Sequence, residues 1–544
     1  MAVFTPESAF HLRGFRASSG LRMSSITAPL FSWLDHRAAG VLLHPTSFPG
    51  PHGIGTLNTH ASRFLEFIAH AGFSCWQVCP LGSTGYGNSP YQSFSAFAGN
   101  PYLIDLEPLV AAGLLQRSEL EKLDALPADR VDFGALWLHK WPVLFAAAER
   151  FRKKPIALPY GDFVGFCSAQ AGWLDEYAYF LALKDHFAGR PWWEWLIEQR
   201  NFEKAAKSPL RHSLAPKIFA HQFLQYLFFG QWRQLRARAA ALGVQIVGDV
   251  PIFVALDSAD VWANPDLFLL DPATRRPTFV AGVPPDYFSA DGQLWGNPLY
   301  DWPAHQRTGY AWWLRRLAAT FDVCDIVRID HFRGFESYWA VPAGAPNARK
   351  GSWELGPGLD FFRAVHTAFP SAKIIAEDLG VLTPEVIALR EATGLPGMAI
   401  TQFAFGGDAR NLYLPHNHVP NCVLYPGTHD NDTTRGWYSA TDEKTRDHLR
   451  RYFRISGSDI AWDCIRAAYS SPCRLAVIAL QDLLNLDSSA RFNLPGTPDG
   501  NWEWRYRAEQ LDQLAQHSTA YLRELGELYG RLPEPPKSTE TVQT

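Results

Sequence analysis

The sequence of 544 residues contains no apolar run near the ~20 residues that a membrane-spanning helix needs. It also lacks an excess of positive charge, because 50 Lys and Arg are balanced by 54 Asp and Glu, for a net charge of −4. A membrane protein is therefore not expected, and neither is a protein that binds nucleic acid through its phosphates. The hydrophobic content of 47% is typical of a globular chain and too high for a disordered one.

Cysteine is scarce, and its pattern lacks the marks of a metal site or a disulfide framework. The seven Cys residues are odd in number and include no C-x-x-C pair and no Cys/His cluster with zinc spacing. Four of them lie in or beside predicted strands, where a buried thiol serves as a small hydrophobic side chain: Cys75, Cys79, Cys324 and Cys422. This usage favours a reducing compartment, so we expect a cytoplasmic protein.

Both ends of the chain are expected to lie outside the folded region. Residues 1–37 are interpreted as a disordered leader, and the first 22 of them contain Arg and Ser/Thr residues but no secretory h-region. They weakly resemble an organelle transit peptide, although we favour a simple leader or an upstream start codon, with Met23 as the true first residue. Residues 533–544 are polar and rich in Pro, which predicts a disordered tail.

Aromatic residues, by contrast, are abundant, with 20 Trp, 19 Tyr and 36 Phe. Most of these rings are expected to pack in the core. Aromatic faces also stack on sugar rings, because the axial C–H groups of a sugar present an apolar surface between its hydroxyl groups. The composition is therefore compatible with a carbohydrate ligand but does not establish one.

Short β-branched runs that end in turn signals predict eight strands. They are Gly40–His44, Ser74–Pro80, Gln245–Pro251, Asp325–His331, Lys373–Glu377, Met398–Ala404, Cys422–Pro426 and Leu475–Leu480. Helical patterns separate most of them, at Ala61–Ala71, Ala311–Thr320, Gly358–Phe369, Pro384–Thr393 and Thr441–Tyr452. Apolar strands alternating with helices are typical of a parallel sheet buried on both faces, and eight of them can close a barrel. We therefore predict an α/β fold, a (β/α)8 TIM barrel over residues 38–532 with helical and loop-rich insertions on its C-terminal face.

Two insertions interrupt the regular spacing. Residues 83–243, between the second and third strands, predict a mainly helical subdomain on the rim of the barrel. Its helical patterns lie near Leu136–Phe151, Leu174–Phe187 and Lys217–Leu242. Residues 264–303 follow the third strand and are rich in Pro and Gly, which predicts a lobe of loops over the barrel mouth. Trp504–Leu532 is predicted to form a closing helix.

Four acidic residues lie at the ends of predicted strands. Asp249 ends the third strand, Asp330 the fourth and Glu377 the fifth, and Asp430 lies just past the seventh. In a parallel barrel all these ends share one face, the face on which TIM-barrel active sites are built. We therefore expect the four carboxylates to converge on one cleft, in preference to a set of unrelated ion pairs and helix caps.

Converging carboxylates repel one another and need a metal, a basic group or a shared proton. A metal could use His44, His331 or His429, as in metal-dependent barrel hydrolases, but the first strand has no H-x-H motif. The alternative partner is Arg328, two residues before Asp330 and therefore on the same side of the strand. Its guanidinium is expected to keep Asp330 ionised and able to act as a nucleophile.

One ionised and one protonated acid are the apparatus of glycoside cleavage. In this hypothesis Asp330 attacks the anomeric carbon and Glu377 protonates the leaving oxygen. Asp430 stays charged and holds sugar hydroxyl groups as the ring flattens toward an oxocarbenium ion.

Long motifs surround these positions. They are Leu-Leu-His-Pro-Thr-Ser (42–47), Gly-Tyr-Gly-Asn-Ser-Pro-Tyr-Gln-Ser-Phe-Ser-Ala-Phe-Ala-Gly-Asn (85–100), Gly-Val-Pro-Pro-Asp-Tyr-Phe-Ser (282–289), Gly-Gln-Leu-Trp-Gly-Asn-Pro (292–298), Arg-Ile-Asp-His-Phe-Arg-Gly (328–334), Ala-Glu-Asp-Leu-Gly (376–380) and Gly-Thr-His-Asp-Asn-Asp (427–432). Together they resemble the amylomaltases, also called 4-α-glucanotransferases or disproportionating enzymes, which form glycoside hydrolase family 77 in the α-amylase clan. The resemblance runs from about Ala38 to Tyr529 and includes a C-terminal motif at residues 500–505.

The resemblance implies that Asp330 is the nucleophile, Glu377 the general acid/base and Asp430 the transition-state stabiliser. It also implies substrate-binding roles for Tyr91, Asp249, Tyr287, Phe288, Gln293, Trp295, Arg328, His429 and Asn493. The segment Gly282–Gly296 is similar to the family's mobile lid. The chain has Asn88 where the family often has Asp, a difference outside the chemistry. No cofactor or metal is implied.

The expected activity is transfer of α-1,4-glucan segments to the 4-hydroxyl of glucose or a maltodextrin by a retaining double displacement, in maltodextrin, glycogen or starch metabolism. One alternative is an α-glucan hydrolase on the same barrel. Another is a glycan-binding protein without activity, which the intact Asp330, Glu377 and Asp430 argue against. We expect no nucleic-acid or membrane partner, and the sequence leaves open whether the protein is a monomer or a homodimer.

Overall fold

The computed structural model describes residues 28–285, 291–380, 382–497 and 499–533. Its strands are β1 (Ala38–Leu42), β2 (Cys75–Gln77), β3 (Gln245–Val250), β4 (Phe279–Val283), β5 (Gln293–Pro298), β6 (Ile326–Ile329), β7 (Ser337–Pro342), β8 (Ser352–Leu355), β9 (Ile374–Ala376), β10 (Gly397–Ile400), β11 (Cys422–Tyr425) and β12 (Leu475–Ala479). Eight parallel strands form one sheet in the order β10–β11–β12–β1–β2–β3–β6–β9. Each of the eight predicted strands overlaps one of them, so the predicted TIM barrel is confirmed.

The helices surround and extend this sheet. They are α1 (Thr59–His70), α2 (Glu107–Ala111), α3 (Glu121–Asp124), α4 (Phe133–Lys153), α5 (Phe163–Ala169), α6 (Ala171–His186), α7 (Phe202–Ala206), α8 (Pro209–Ser213), α9 (Ala215–Ala241), α10 (Ala259–Ala263), α11 (Trp302–Arg307), α12 (Ala311–Phe321), α13 (Gly358–Ala368), α14 (Pro384–Thr393), α15 (Thr434–Ala440), α16 (Glu443–Phe453), α17 (Ile460–Ser470), α18 (Leu480–Leu483) and α19 (Ala508–Leu528). No helix in the described part of the chain is long and apolar enough to cross a membrane.

Local sequence accounts for the barrel elements. The strand β12 reads Leu-Ala-Val-Ile-Ala and is buried throughout, as expected for a strand covered on both faces. Helix α1 begins where the Asn58 side chain accepts a hydrogen bond from the N–H of His60. Phe64 and Ile68, four residues apart on one face of this helix, are buried against the barrel.

The ring of strands closes between β9 and β10 with few backbone hydrogen bonds. The N–H of Ala376 donates to the carbonyl oxygen of Pro396 at 2.9 Å. The carboxylate of Asp378 then accepts a hydrogen bond from the N–H of Met398 at 2.7 Å. A buried carboxylate therefore replaces part of the strand pairing at this seam.

A second sheet covers part of the C-terminal face of the barrel. Its antiparallel strands run in the order β5–β4–β7–β8. The sequence analysis predicted only loops over residues 264–303, but β4 and β5 lie there, and β4 pairs with β7 from beyond β6. Such pairing over a long sequence separation leaves no local pattern by which to predict it.

Residues 28–37 differ from the expected disordered leader. The side chains of Phe31 and Leu34 are buried in the core. The N–H of Phe31 donates to the carbonyl oxygen of Thr393, at the end of α14, at 2.9 Å. This segment therefore packs against the outside of the barrel.

Candidate active site

Arg328 links two of the four acids at the mouth of the barrel. It lies on β6 directly opposite Asp249 on the neighbouring strand β3. Its Nη1 atom is 2.8 and 2.7 Å from the two carboxylate oxygens of Asp249 and 2.9 Å from Oδ1 of Asp330. The parallel register thus brings the three predicted residues together, because strand ends at one level of the barrel share one face.

The carboxylate of Asp249 lies behind Arg328 and is closed off from solvent. Its side chain is 0% exposed, whereas that of Asp330 is 29% exposed. Besides Arg328, it accepts a hydrogen bond from the hydroxyl of Tyr91 at 2.9 Å. Asp249 therefore fixes the guanidinium and the tyrosine, while Asp330 faces the open cleft.

Burial raises the pKa of Asp330 to about 6 and that of Glu377 to about 8. The positive charge of Arg328 lowers the pKa of both acids, and it lies 2.9 Å from Asp330. The guanidinium acts in the predicted direction, because it favours the ionised form of Asp330. Burial and the negative charges of Asp249 and Asp430 nevertheless outweigh it, so the pKa of Asp330 is raised and not lowered.

Glu377 follows β9 and is buried, with 9% of its surface exposed. Its Oε2 accepts a hydrogen bond from the backbone N–H of His331 at 2.6 Å, and its Oε1 accepts one from the N–H of Leu379 at 3.0 Å. These donors favour the ionised carboxylate, whereas burial favours the protonated one. Glu377 can therefore hold a proton near neutral pH. After it gives the proton away, the two backbone N–H groups stabilise its negative charge.

Asp430 lies in the loop after β11 and is held in the ionised form. Its Oδ1 accepts a hydrogen bond from the amide of Asn493 at 2.6 Å, and its Oδ2 lies 3.3 Å from Nε2 of His429. Burial by itself raises the pKa of Asp430, but His429 and Asn493 outweigh it and lower the pKa to about 2. Arg491, which the sequence analysis did not select, donates to the backbone carbonyl of Asp430 at 2.7 Å.

Tyr91 and His429 form a stacked pair beside these acids. Their ring centroids are 5.2 Å apart, and the Tyr91 hydroxyl lies 2.9 Å from Nε2 of His429. The ring of Trp502 is buried, and its centroid lies 5.9 Å from the ring centroid of Tyr91 and 5.7 Å from that of His429. The sequence analysis assigned Trp502 no role, although the C-terminal motif at residues 500–505 contains it.

Two predicted lid residues are described, and they lie on β5. The ring of Trp295 meets the ring of His331 edge-on, with centroids 4.9 Å apart. The carbonyl of the Gln293 side chain accepts a hydrogen bond from the Trp295 indole at 3.2 Å. Trp295 is therefore in contact with the residue that follows Asp330. Tyr287 and Phe288 lie outside the described residues.

The histidines considered as metal ligands do not gather around the acids in a coordinating arrangement. Burial lowers the pKa of His44 and of His331 to about 3. His429 is engaged with Tyr91 and Asp430. Among the residues that the structure describes, no group of three or more His, Cys, Asp or Glu is placed to hold a metal ion.

Comparisons with known proteins identify relatives of this chain. A family model described as 4-alpha-glucanotransferase, glycoside hydrolase family 77, matches residues 43–511. The chain is 48% identical to a 4-alpha-glucanotransferase of Thermus thermophilus over 91% of this chain and 99% of that protein. It is 45% identical to a chloroplastic/amyloplastic 4-alpha-glucanotransferase of Arabidopsis thaliana over 92% and 86%. The solved amylomaltase of Streptococcus agalactiae, in complex with acarbose, superposes with a TM-score of 0.86 at 36% identity, over 91% of this chain and 100% of that one.

Proposed function

The chain belongs to the 4-alpha-glucanotransferases of glycoside hydrolase family 77, and from this premise we propose how its acids divide the reaction. Asp330 is the nucleophile, Glu377 the general acid/base and Asp430 the transition-state stabiliser. The observation that carries the assignment is the position of the two acids: the Asp330 carboxylate lies 2.9 Å from the Arg328 guanidinium and faces the open cleft, whereas Glu377 is buried, which raises its pKa to about 8. Near neutral pH one acid is ionised and its neighbour is protonated, as a retaining mechanism requires.

In the first step, a carboxylate oxygen of Asp330 forms a bond to the anomeric carbon of the donor glucan. The bond from that carbon to the glycosidic oxygen breaks, and the oxygen takes the proton of Glu377. Asp430 remains ionised and faces the positive charge that develops on the sugar ring. Arg328 compensates the remaining negative charge of Asp249 beside the reacting atoms.

In the second step, the ionised Glu377 removes the proton from the 4-hydroxyl of an acceptor sugar. The acceptor oxygen then bonds to the anomeric carbon, and the ester bond to Asp330 breaks. The N–H groups of His331 and Leu379 stabilise Glu377 while it carries the negative charge. The cycle restores both acids and consumes no cofactor.

The donor and acceptor in this proposal are α-1,4-glucans, such as maltooligosaccharides, amylose, glycogen or starch. Tyr91, His429 and Asn493 bind the donor sugar beside Asp430, and Arg328 with Asp249 behind it supports the same sugar. The amylomaltase of Streptococcus agalactiae was solved in complex with acarbose, which supports an oligosaccharide as the ligand of this chain. The lid residues Tyr287, Phe288, Gln293 and Trp295 bind the acceptor.

Two further features of the proposal concern organisation and location. Residues 83–243 form the mainly helical subdomain, and residues 264–303 carry the lid. The cytoplasm is the proposed location, which is supported by seven cysteines that are all free thiols. Cell fractionation followed by immunodetection tests the location.

Incubation of the purified enzyme with maltotriose tests the function. We expect glucose together with maltopentaose and longer chains, without a rise in reducing ends, because an acceptor sugar competes with water for the glycosyl-enzyme. Asp330→Asn should abolish turnover and retain glucan binding. Release of glucose and maltose with a stoichiometric rise in reducing ends would replace the transferase mechanism with hydrolysis. Wild-type turnover by Asp330→Asn would refute the nucleophile.

A further inference from the structure

His331, the residue after Asp330, has a left-handed backbone conformation, with φ 52° and ψ 51°. Residues with a Cβ atom rarely adopt this conformation, because the Cβ crowds the neighbouring carbonyl oxygen; Gly adopts it freely, and Asn, Asp and His adopt it more often than other residues. The strain lies next to the reacting atoms, and contacts of His331 must offset it.

The left-handed turn directs two successive N–H groups at Glu377. In an extended strand such groups point to opposite sides, but helical angles of either hand bring them to the same side. The N–H of His331 donates to Oε2 of Glu377 at 2.6 Å, and the N–H of Phe332 donates to the Glu377 backbone carbonyl at 2.9 Å. The hydrogen bond on Oε2 therefore depends on the backbone angles of one strained residue.

The ring of His331 accounts for how the strain is held. On one side, the ring of Trp295 on β5 meets the His331 ring edge-on, with the two ring centroids 4.9 Å apart. On another side lies Gly334, so close that an added Cβ atom would be 3.1 Å from Cδ2 of the His331 ring. The pKa of His331 is lowered to about 3 by burial, so the ring is neutral and acts through packing. The ring thus connects the backbone turn to a strand that carries lid residues.

We propose that His331 is a positioning residue. Its backbone N–H is directed at the general acid/base, and its ring links this N–H to β5, the strand that carries the lid residues Gln293 and Trp295. The proposal rests on the acid/base role proposed for Glu377. A donor on Oε2 stabilises the ionised carboxylate, the form that must accept the acceptor's proton in the second step. A movement of Trp295 can reach Glu377 through His331 without direct contact with the carboxyl group.

Other charged and titratable groups also face Glu377. They are Arg328 and Asp330 at the end of β6, Asp378 on the same loop, and the phenol of Tyr413. Their chemical identity is the same in all the His331 variants. Because Asp330 is bonded to His331, a displaced Asp330 would also move the acidic limb of the pH profile, whereas loss of the hydrogen bond alone moves the basic limb.

The test compares substitutions that tolerate the left-handed conformation with one that does not. His331→Gly and His331→Asn retain it, whereas His331→Ala disfavours it. We would measure kcat/KM for maltotriose as a function of pH, since its basic limb reports loss of the Glu377 proton. In His331→Ala the lost donor raises the pKa of Glu377, so the basic limb should move to higher pH by about half a unit or more. In the Gly and Asn variants it should stay at the wild-type pH.

Arg454→Ala is the matched control. Arg454 has φ 56° at the C-terminus of α16, so its replacement imposes similar backbone strain in an exposed turn. It should lower stability and leave the basic limb in place. Should His331→Ala fail to fold, His331→Gln, which also disfavours the left-handed conformation, repeats the comparison. The proposal is overturned if the basic limb of the folded Ala or Gln variant lies at the wild-type pH. It is also overturned if the basic limb moves by the same amount in the Ala and Gly variants.

The link to the lid is tested by a double-mutant cycle with maltotriose. His331→Gly and Trp295→Ala should each lower the ratio of transfer to hydrolysis, and the double variant should lower it no further. Additive losses overturn the link. Glu377→Gln, measured in parallel, separates this proposal from the proposed function. Wild-type turnover in Glu377→Gln defeats the acid/base role, whereas an inactive Glu377→Gln with an unmoved limb in His331→Ala defeats the positioning role alone.

Discussion

The side-chain amide of Asn493 donates a hydrogen bond to Oδ1 of Asp430 at 2.6 Å, across 63 residues of sequence. The bond joins the loop after β12 to the loop after β11. Arg491 braces the same two loops, because it donates to the carbonyl oxygens of Asp430 and Asn493, each at 2.7 Å. The charged state of Asp430 therefore depends on a neighbouring loop in addition to His429 on its own loop.

Asn493→Ala removes this donor, and a hydrogen bond to a charged group contributes about 1.5–3 kcal/mol. We expect kcat/KM for maltotriose to fall about 10- to 100-fold and the pKa of Asp430 to rise, since an ionised carboxylate loses a donor. Steady-state kinetics measure the effect. Asn421→Ala removes an amide-to-carbonyl bond of 3.0 Å to Gly394 at the other end of the barrel and should leave kcat/KM unchanged. Equal losses in both variants would contradict the prediction.

Asp249→Asn leaves the buried Arg328 with one carboxylate fewer. Breaking a buried ion pair in this way costs about 3–5 kcal/mol, which urea unfolding should detect. The lost negative charge also lowers the pKa of Asp330, so the acidic limb of kcat/KM should lie at lower pH than in the wild type. Asp408→Asn, which breaks an exposed pair with Arg410, is the control and should change neither quantity. A shift of the acidic limb to higher pH would disprove the electrostatic role of Asp249.

Glu377→Gln should reveal the cost of ionising a buried carboxyl group. Burial raises the pKa of Glu377 from 4.5 to about 8 in the folded protein, so the folded state holds this proton more tightly than the unfolded state. That stability is complete below the ordinary pKa and is lost as the pH rises through the folded value. At alkaline pH the free energy of unfolding of the variant should therefore exceed that of the wild type by at least about 1 kcal/mol, so the variant unfolds at a higher temperature. In acid the two proteins should unfold at similar temperatures.

Thermal unfolding of both proteins at acidic and alkaline pH is the measurement for this prediction. Glu385→Gln, at an exposed position in the first turn of α14, is the control. It should show no gain in stability at alkaline pH. A gain in Glu377→Gln that is the same at every pH would mean that packing, and not the buried charge, is responsible.

Trp502→Ala should weaken substrate binding, because the ring of Trp502 packs against the stacked pair of Tyr91 and His429. Trp502 is 2% exposed, and its removal leaves a cavity that costs about 3–5 kcal/mol. KM for maltotriose should rise because Tyr91 and His429 lose their support, and Trp502→Phe should restore most of the loss. Trp232→Ala makes a similar cavity between α9, which carries Trp232, and Trp76 on β2, so it should cost stability without raising KM. The same rise in KM for both Ala variants would show that general destabilisation is the cause.

The sequence was informative wherever the signal is local. Each barrel strand is a short apolar run closed by a turn, and the acids proposed to be catalytic follow such runs, so both positions were predicted. The sheet formed by β4, β5, β7 and β8 was missed, because its pairing joins distant segments whose residues have no distinctive pattern. The segment at residues 28–37 was assigned to the leader because two buried side chains, Phe31 and Leu34, make too short a pattern to indicate packing.

By itself the sequence determined the eight-stranded barrel, the position of Asp330, Glu377 and Asp430 at strand ends, and the family. Only the tertiary structure decided that the Asp249 carboxylate is closed off behind Arg328 and that Asn493 bonds to Asp430. It also decided that burial, and not the nearest guanidinium, sets the direction of the pKa of Asp330. The physical reason is that desolvation and hydrogen bonding depend on distances between segments far apart in the chain, whereas strand propensity and position depend on adjacent residues.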